Sequence, residues 1–344
     1  MSVAFQSRVG RVVSEGQIDF ITRDVPAPKA DEVVIRICAS ALCGSDLHIF
    51  KAKHPSVPLP ATIGHEFSGD IAAIGSDVSG LALGDRVTAE PCTTCGSCHA
   101  CRHGEYGSCD EISFIYRKGD GAMADYITVK ASSVFLLPDT MSYEAGALME
   151  PLAVATHAAR RGEITLGETV LVLGGGAIGL LIAALAKHMG AAEIILSDPS
   201  PFRRDMAKKL GATRVVSPLE AEALTLAVQE ATQGRGADKV FECVGREETF
   251  VQSMQLLRKK GLATIVGIFE QPHITIPVMG LVQREIRIQG AQGYCWDFPI
   301  ALQMAEVINL EQLVTHTLPL DDLQKALELN LDRTQNTIKV VLKP

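Results

Sequence analysis

One stretch, Val170-Leu-Val-Leu-Gly174-Gly-Gly176-Ala-Ile-Gly179, narrows the choice of fold more than any other. The apolar run Val170–Leu173 predicts a buried strand, and a helix to about His188 follows it. The join reads Gly-x-Gly-x-x-Gly. Gly174 permits a tight turn, Gly176 lets a backbone approach a pyrophosphate, and Gly179 lets the helix pack against the strand. The helix N-terminus offers free N–H groups and the positive end of its dipole to that anion. Asp198 follows Gly179 by about 20 residues, at the end of the next predicted strand, Glu193–Ser197. A carboxylate there grips the ribose hydroxyls of NAD and repels the 2′-phosphate of NADP. Arg203 is placed to cover the adenine, although Arg203 and Arg204 together can also serve a phosphate. The expected cofactor is NAD.

Around this motif the chain changes character near Glu150. Before it come short strands with turns, such as Val33–Ile37 and Phe67–Ile71, punctuated by Gly75, Gly80 and Gly84, the pattern of a compact β-barrel. From Thr169 strands alternate with helices: a helix over Phe202–Leu210, then Val215–Val216, Lys239–Cys243 and Ala263–Gly267. That alternation implies a parallel sheet wrapped by helices. After about Gly290 a helix near Phe298–Val307 and a last strand, Ile338–Leu342, are expected to return to the first domain. The predicted organisation is 1–150 with 291–344 as one discontinuous domain and 151–290 as the nucleotide-binding one.

Nine cysteines occur, and five of them fall between Cys92 and Cys109. In a chain expected to be cytosolic this density argues for metal rather than disulfides. Cys95, Cys98, Cys101 and Cys109 form Cys-x-x-Cys-x-x-Cys-x7-Cys. Four thiolates close a tetrahedron around zinc and leave no position open, so the site is structural. Cys92 stands outside the set.

A second, dispersed group consists of Cys43-Gly-Ser45-Asp46-Leu-His48, Gly64-His65-Glu66 and Glu150-Pro-Leu-Ala153. A thiolate, an imidazole and a carboxylate hold a zinc ion while leaving one position for substrate. Dispersed ligands suit catalysis, because the substrate must enter between them.

These motifs, in this order and over almost the whole chain, resemble the zinc-containing medium-chain dehydrogenases, and within them the sorbitol (polyol) dehydrogenase branch. Ala147-Leu-Met-Glu150-Pro-Leu-Ala-Val and Leu313-Val-Thr-His-Thr-Leu-Pro-Leu320 look like that branch. The resemblance implies an α/β plus β architecture: a GroES-like β-barrel catalytic domain and a Rossmann doubly wound parallel-sheet domain, with the site in the cleft between them. It implies one catalytic zinc on Cys43, His65 and a glutamate, either Glu66 or Glu150, and one structural zinc on the four-cysteine lobe. It adds Ile178, Val266, Gly267 and Ile268 to Gly174, Gly176, Gly179, Asp198 and Arg203 as NAD contacts, and it implies a homodimer or homotetramer.

The reaction expected is hydride transfer from a secondary alcohol of a polyol or sugar-derived substrate to NAD, giving the ketone. Ser45 and His48 are candidates for the proton relay. Asp46 is a candidate for orienting His65, or a surface turn; His157 is expected to pack; Tyr294 and Trp296 either line a pocket or fill the domain junction. The alternatives are an L-threonine or 2,3-butanediol-type dehydrogenase and, outside catalysis, a dinucleotide-binding protein. Threonine dehydrogenases carry a histidine near Glu90, where this chain reads Ala89-Glu90-Pro91, which favours the polyol side. Gly293 stands where animal sorbitol dehydrogenases carry an arginine, which sets sorbitol itself apart. A net charge of −8 without a dense Lys/Arg cluster disfavours nucleic acid and anionic membranes as partners. No apolar run reaches transmembrane length, so the cytoplasm is the expected compartment.

Overall fold

The computed structural model describes residues 3–54, 56–220, 222–332 and 334–344. The chain divides into two compact units, residues 1–150 with 309–344 and residues 151–308. Among the described residues no helix is long and apolar enough to cross a membrane.

In the first unit, strand Val3–Ser14 lies between Gln17–Pro26 and Ala61–Thr62. A second, seven-stranded sheet is centred on Glu32–Ala41. That strand is rich in Val and Ile, and most of it is buried, as expected for β-branched residues on a pleated surface covered on both faces. Val9 from the first sheet packs with Val33, Ile35, Phe67, Val87 and Ile127 from the second in one apolar cluster. The last strand, Lys339–Lys343, returns and pairs antiparallel with Glu32–Ala41, setting Val341 opposite Ala41.

The second unit is built on a parallel sheet. Its strands run in the order Arg214–Val216, Glu193–Ser197, Thr169–Leu173, Ala237–Glu242, Leu257–Ile265, Arg287–Gly290. Thr169–Leu173 is buried at every position, the mark of a strand with helices over both faces. Strand order reverses direction beside Thr169–Leu173, and such a switch point opens a crevice at the strands' C-terminal ends.

The segment 291–308, expected with the first unit, belongs to the second. The reason is a buried carboxylate. Asp297 accepts from His157 Nδ1 at 2.8 Å, Arg160 Nη1 at 2.6 Å and the Cys295 amide at 2.8 Å. The Ala291 amide also donates to Ile265 O at 2.9 Å. His157 is thus not a packing residue but one end of this polar staple.

Candidate functional site

In the cysteine lobe, the ligand atoms of Cys95, Cys98, Cys101 and Cys109 all lie within 4.8 Å of one another. All four are free thiols. The short helix His99–Arg102 holds Cys101 just after Cys98. The Ser97 and Cys98 amides donate to Cys95 Sγ at 3.5 and 3.3 Å, and the Cys95 and Glu111 amides donate to Cys109 Sγ at 3.3 and 3.4 Å. N–H donors favour thiolate, and those of Ser97 and Cys98 bring Cys95 down to about 6. Burial instead pushes Cys101 up to about 12. Four sulfurs at this separation suit a tetrahedral dication that would deprotonate them all.

The second cluster arises from strand register. Ala41, at the end of Glu32–Ala41, pairs with Glu66, at the start of Glu66–Ile74. Cys43 therefore leaves one strand beside the point where His65 enters the other. The ligand atoms of Cys43, His65 and Glu66 lie within 4.8 Å of one another. His65 and Glu66 are buried, and His65 Nδ1 has no hydrogen-bond partner. A buried nitrogen left bare beside a thiol and a carboxylate fits a metal ligand set, since an empty site would leave its desolvation uncompensated. Glu150 is buried and stands outside the 4.8 Å set, but it acts electrostatically on the same groups. Burial pushes the Cys43 thiol up to about 12 and the Glu150 carboxyl up to about 8. A dication among these groups would reverse both directions.

Asp46 does not orient the His65 ring, nor is it a surface turn. It is fully buried, and its oxygens accept from the amides of Cys43 and Gly64, both at 2.9 Å. It fixes the two backbones that present Cys43 and His65. The His65 ring instead packs against Phe114 and Tyr116, with centroids 5.9 and 5.5 Å apart. Ser45 is buried on the helix Gly44–Phe50 beside the Cys43 thiol, on which its hydroxyl acts, and His48 lies in that helix's last turn. Glu90 accepts from Tyr106 Oη of the cysteine lobe at 2.8 Å.

Sequence reasoning missed Lys339. Its Nζ lies 2.5 Å from both oxygens of Glu66 and donates to Leu42 O at 3.2 Å. Burial alone would lower its pKa, but Glu66 and Cys43 outweigh burial and keep it charged. The available signal was a lysine embedded in the apolar run Ile338-Lys-Val-Val-Leu342, where a charge needs a buried partner.

In the second unit, Gly174 has φ +101° and its amide donates to Ser197 O at 2.8 Å. A Cβ on Gly179 would stand 1.9 Å from Gly174 O, whereas one on Gly176 would meet nothing within 4 Å. Gly176 caps the helix Ala177–His188 without a side-chain bond, leaving first-turn amides for an anion. Ile178, in that first turn, is half-buried. Asp198 is buried, with Oδ2 accepting from Gly175 N and Oδ1 from Ser200 N, both at 2.8 Å. Arg203 Nη1 lies 4.0 Å from Asp198 Oδ2. Arg204 is tied to the carbonyls of Asp198 and Pro199 at 2.8 and 2.9 Å. The Val266 and Gly267 amides donate to Glu242 O, and Ile268 is exposed. Glu242, which the sequence reading passed over, accepts from the Val244 and Gly245 amides at 2.9 Å and shapes the neighbouring turn.

Comparison with known proteins gives two family matches: residues 29–139 to the alcohol dehydrogenase GroES-like domain and residues 177–337 to zinc-binding dehydrogenase. Sorbitol dehydrogenase of Bacillus subtilis (strain 168) is 36% identical over 334 residues, 95% of this chain and 94% of that protein. L-threonine 3-dehydrogenase of Caldanaerobacter subterraneus subsp. tengcongensis is 35% identical over 340 residues, 95% of each chain. Among solved structures, a protein of Sinorhizobium meliloti 1021 described as a zinc-binding dehydrogenase and bound to NADP superimposes with a TM-score of 0.92 at 31% identity, covering 99% of this chain and 100% of that one.

Proposed function

This chain belongs to the zinc-binding dehydrogenase family, oxidoreductases acting on CH–OH groups, and from that premise we propose that it oxidises a secondary alcohol of a polyol or sugar-derived substrate to the ketone with NAD. The observation that carries the reading is the convergence of Cys43, His65 and Glu66 within 4.8 Å, with Glu150 buried beside them.

Cys43, His65 and one of the two glutamates would hold a catalytic zinc, and Cys95, Cys98, Cys101 and Cys109 a structural one. Zinc in the first site supplies a Lewis acid that lowers the pKa of a substrate hydroxyl. NAD supplies the hydride acceptor. Asp46 holds the backbone amides of Cys43 and of Gly64, the residue before His65, and so sets the spacing of the thiol and the imidazole. Ser45 and His48 carry the substrate's proton outward; the buried Ser45 hydroxyl, beside the Cys43 thiol, takes the first position. A thiolate and a carboxylate on one dication weaken its pull on a hydroxyl relative to two imidazoles, so the surrounding groups weigh more.

The buried carboxylate of Asp198 supports NAD over NADP, and Arg204, occupied by two backbone carbonyls, is a poor partner for a 2′-phosphate. The tie between Glu90 and Tyr106 supports the polyol reading over the threonine one, because it commits the segment near which threonine dehydrogenases carry a histidine to the cysteine lobe. The resemblance adds a homodimer or homotetramer, which sedimentation resolves.

A substrate screen tests the reading: sugar alcohols, vicinal diols and threonine, with NAD and with NADP, following formation of reduced cofactor in zinc-loaded and chelator-treated protein. Oxidation of a polyol that stops on zinc removal is expected. Cys43→Ser should bind NADH yet lose turnover by at least about 100-fold; full turnover in that variant would sink the proposal.

A further inference from the structure

His54, Tyr116 and Arg117 gather on the His65 side of the metal-ligand cluster. Tyr116 is buried, its ring 5.5 Å from that of His65 and 6.4 Å from that of His54. The Ser56 amide donates to His54 Nδ1 at 3.3 Å. An amide nitrogen only donates, so the neutral ring carries its proton on Nε2 and offers it as a donor. Burial, with Arg117 next, lowers the pKa of His54 from its ordinary value and favours the neutral ring.

Arg117 Nη2 donates to Ser56 Oγ at 2.9 Å, and the guanidinium lies beside the Tyr116 phenol. Both neighbours are neutral, and the exposed guanidinium has no carboxylate partner among the described residues, so solvent alone meets its charge and a ligand can replace that solvent. Several other arginines face a carboxylate (Arg8 with Asp125, Arg11 with Asp19, Arg36 with Asp70, Arg160 with Asp297), and Arg86 and Arg204 are held by backbone carbonyls instead. Asp46 is the carboxylate among the groups acting on His54, and both its oxygens are already taken by backbone amides. Ser56, Thr62, Tyr116 and Arg117 border a cavity of about 370 Å³, within the size range of small-ligand sites. A neutral ring donor, a phenol and an unpaired planar fork of N–H groups match the needs of an oxyanion.

We infer that His54, Tyr116 and Arg117 form a subsite for a terminal oxyanion of the substrate, a phosphate or a carboxylate. The alcohol oxidised is then a sugar-alcohol phosphate or a sugar acid rather than a neutral polyol. The inference rests on the proposed alcohol oxidation for its chemistry, but its binding test does not.

The test is calorimetric titration of zinc-loaded, NADH-saturated protein with sorbitol, sorbitol 6-phosphate and gluconate, with turnover of each measured in parallel. At least one anion should bind tenfold or more tighter than sorbitol, on the order of one charge-assisted contact; which anion does so separates phosphate from carboxylate. Arg117→Gln should remove most of that advantage, on the order of tenfold, Arg117→Lys should keep part of it, and Lys260→Gln, on the other unit, should leave it unchanged. Sorbitol binding as tightly as both anions, or Arg117→Gln weakening all three equally, overturns the subsite while leaving alcohol oxidation standing. An anion advantage that depends on Arg117 but comes without oxidation of any alcohol upholds the subsite and removes the proposed activity.

Discussion

Lys339 Nζ sits 2.5 Å from both carboxylate oxygens of Glu66, with 5% and 1% of the two side chains exposed. A buried pair of this kind contributes little over an apolar replacement of both partners, but removing one partner leaves a bare buried charge and costs about 3–5 kcal/mol. Glu66 has a second potential partner, because its carboxylate lies in the ligand set with Cys43 and His65. Lys339→Met should therefore destabilise the chelator-treated protein by that amount and the zinc-loaded protein by clearly less, since the cation takes over the role of counter-charge. Thermal melts with and without chelator measure both. An equal loss in the two states would show that Glu66 never shares its charge with the metal.

The two glycines flanking the start of the helix Ala177–His188 should fail in different ways. Gly179→Ala puts a methyl 1.9 Å from Gly174 O, a backbone contact that cannot be relieved without moving the helix off the strand. Destabilisation of about 1–3 kcal/mol and loss of cofactor binding are expected together. Gly176→Ala meets nothing within 4 Å, so the fold should keep its melting temperature while NADH affinity falls, because the methyl occupies the approach of the pyrophosphate. NADH fluorescence titration beside a melt separates the two. A Gly176→Ala protein that melts early would mean that this glycine serves packing rather than the ligand.

Sequence and structure agree where the information is local. The alternation of strand and helix after Thr169, the turn at Gly174 and the spacing of Cys95 to Cys109 each follow from neighbours along the chain. What was not legible depends on distant pairing. Lys339 meets Glu66 because the last strand returns beside Glu32–Ala41, and nothing near either residue announces the other. Asp46 lies close in sequence to Cys43, yet its second bond reaches Gly64, which no spacing rule supplies. Segment 291–308 followed its expected neighbours only until Asp297 is seen gripping His157 and Arg160. A helix and a strand were visible on either side, but not the buried carboxylate that decides which unit takes them.

Cys109→Ser should remove one zinc ion per chain and leave the second. The substitution replaces a sulfur that accepts from two amides and lies within 4.8 Å of three others. Structural zinc contributes on the order of 10 kcal/mol of binding free energy that is spent on local folding, so the lobe between Cys92 and Phe114 should become the first site of proteolysis. Metal analysis and mass spectrometry of the cleavage products check both halves. Unchanged zinc content in the variant would remove the four-sulfur site.

Asp297 gives a pH-dependent prediction with a defined sign. Burial raises its pKa, but the bonds from His157, the Cys295 amide and Arg160 outweigh burial, and the folded value lies below 3.8. A carboxyl with a depressed folded pKa adds stability that is complete above its unfolded value, about 3.9, and is lost as pH falls through the folded one. Asp297→Asn keeps the shape and removes the charge from a buried position, leaving its partners half-satisfied at a cost of about 1–3 kcal/mol. The stability gap between wild type and variant should thus be full near pH 7, persist to about pH 4 and close below it. Urea denaturation of the two proteins across that range, followed by a probe in the second unit, measures the gap. A gap that stays constant down to about pH 3, or that widens with acid, would mean that the amide disturbs packing of the 291–308 segment and that the ionised carboxylate contributes nothing of its own.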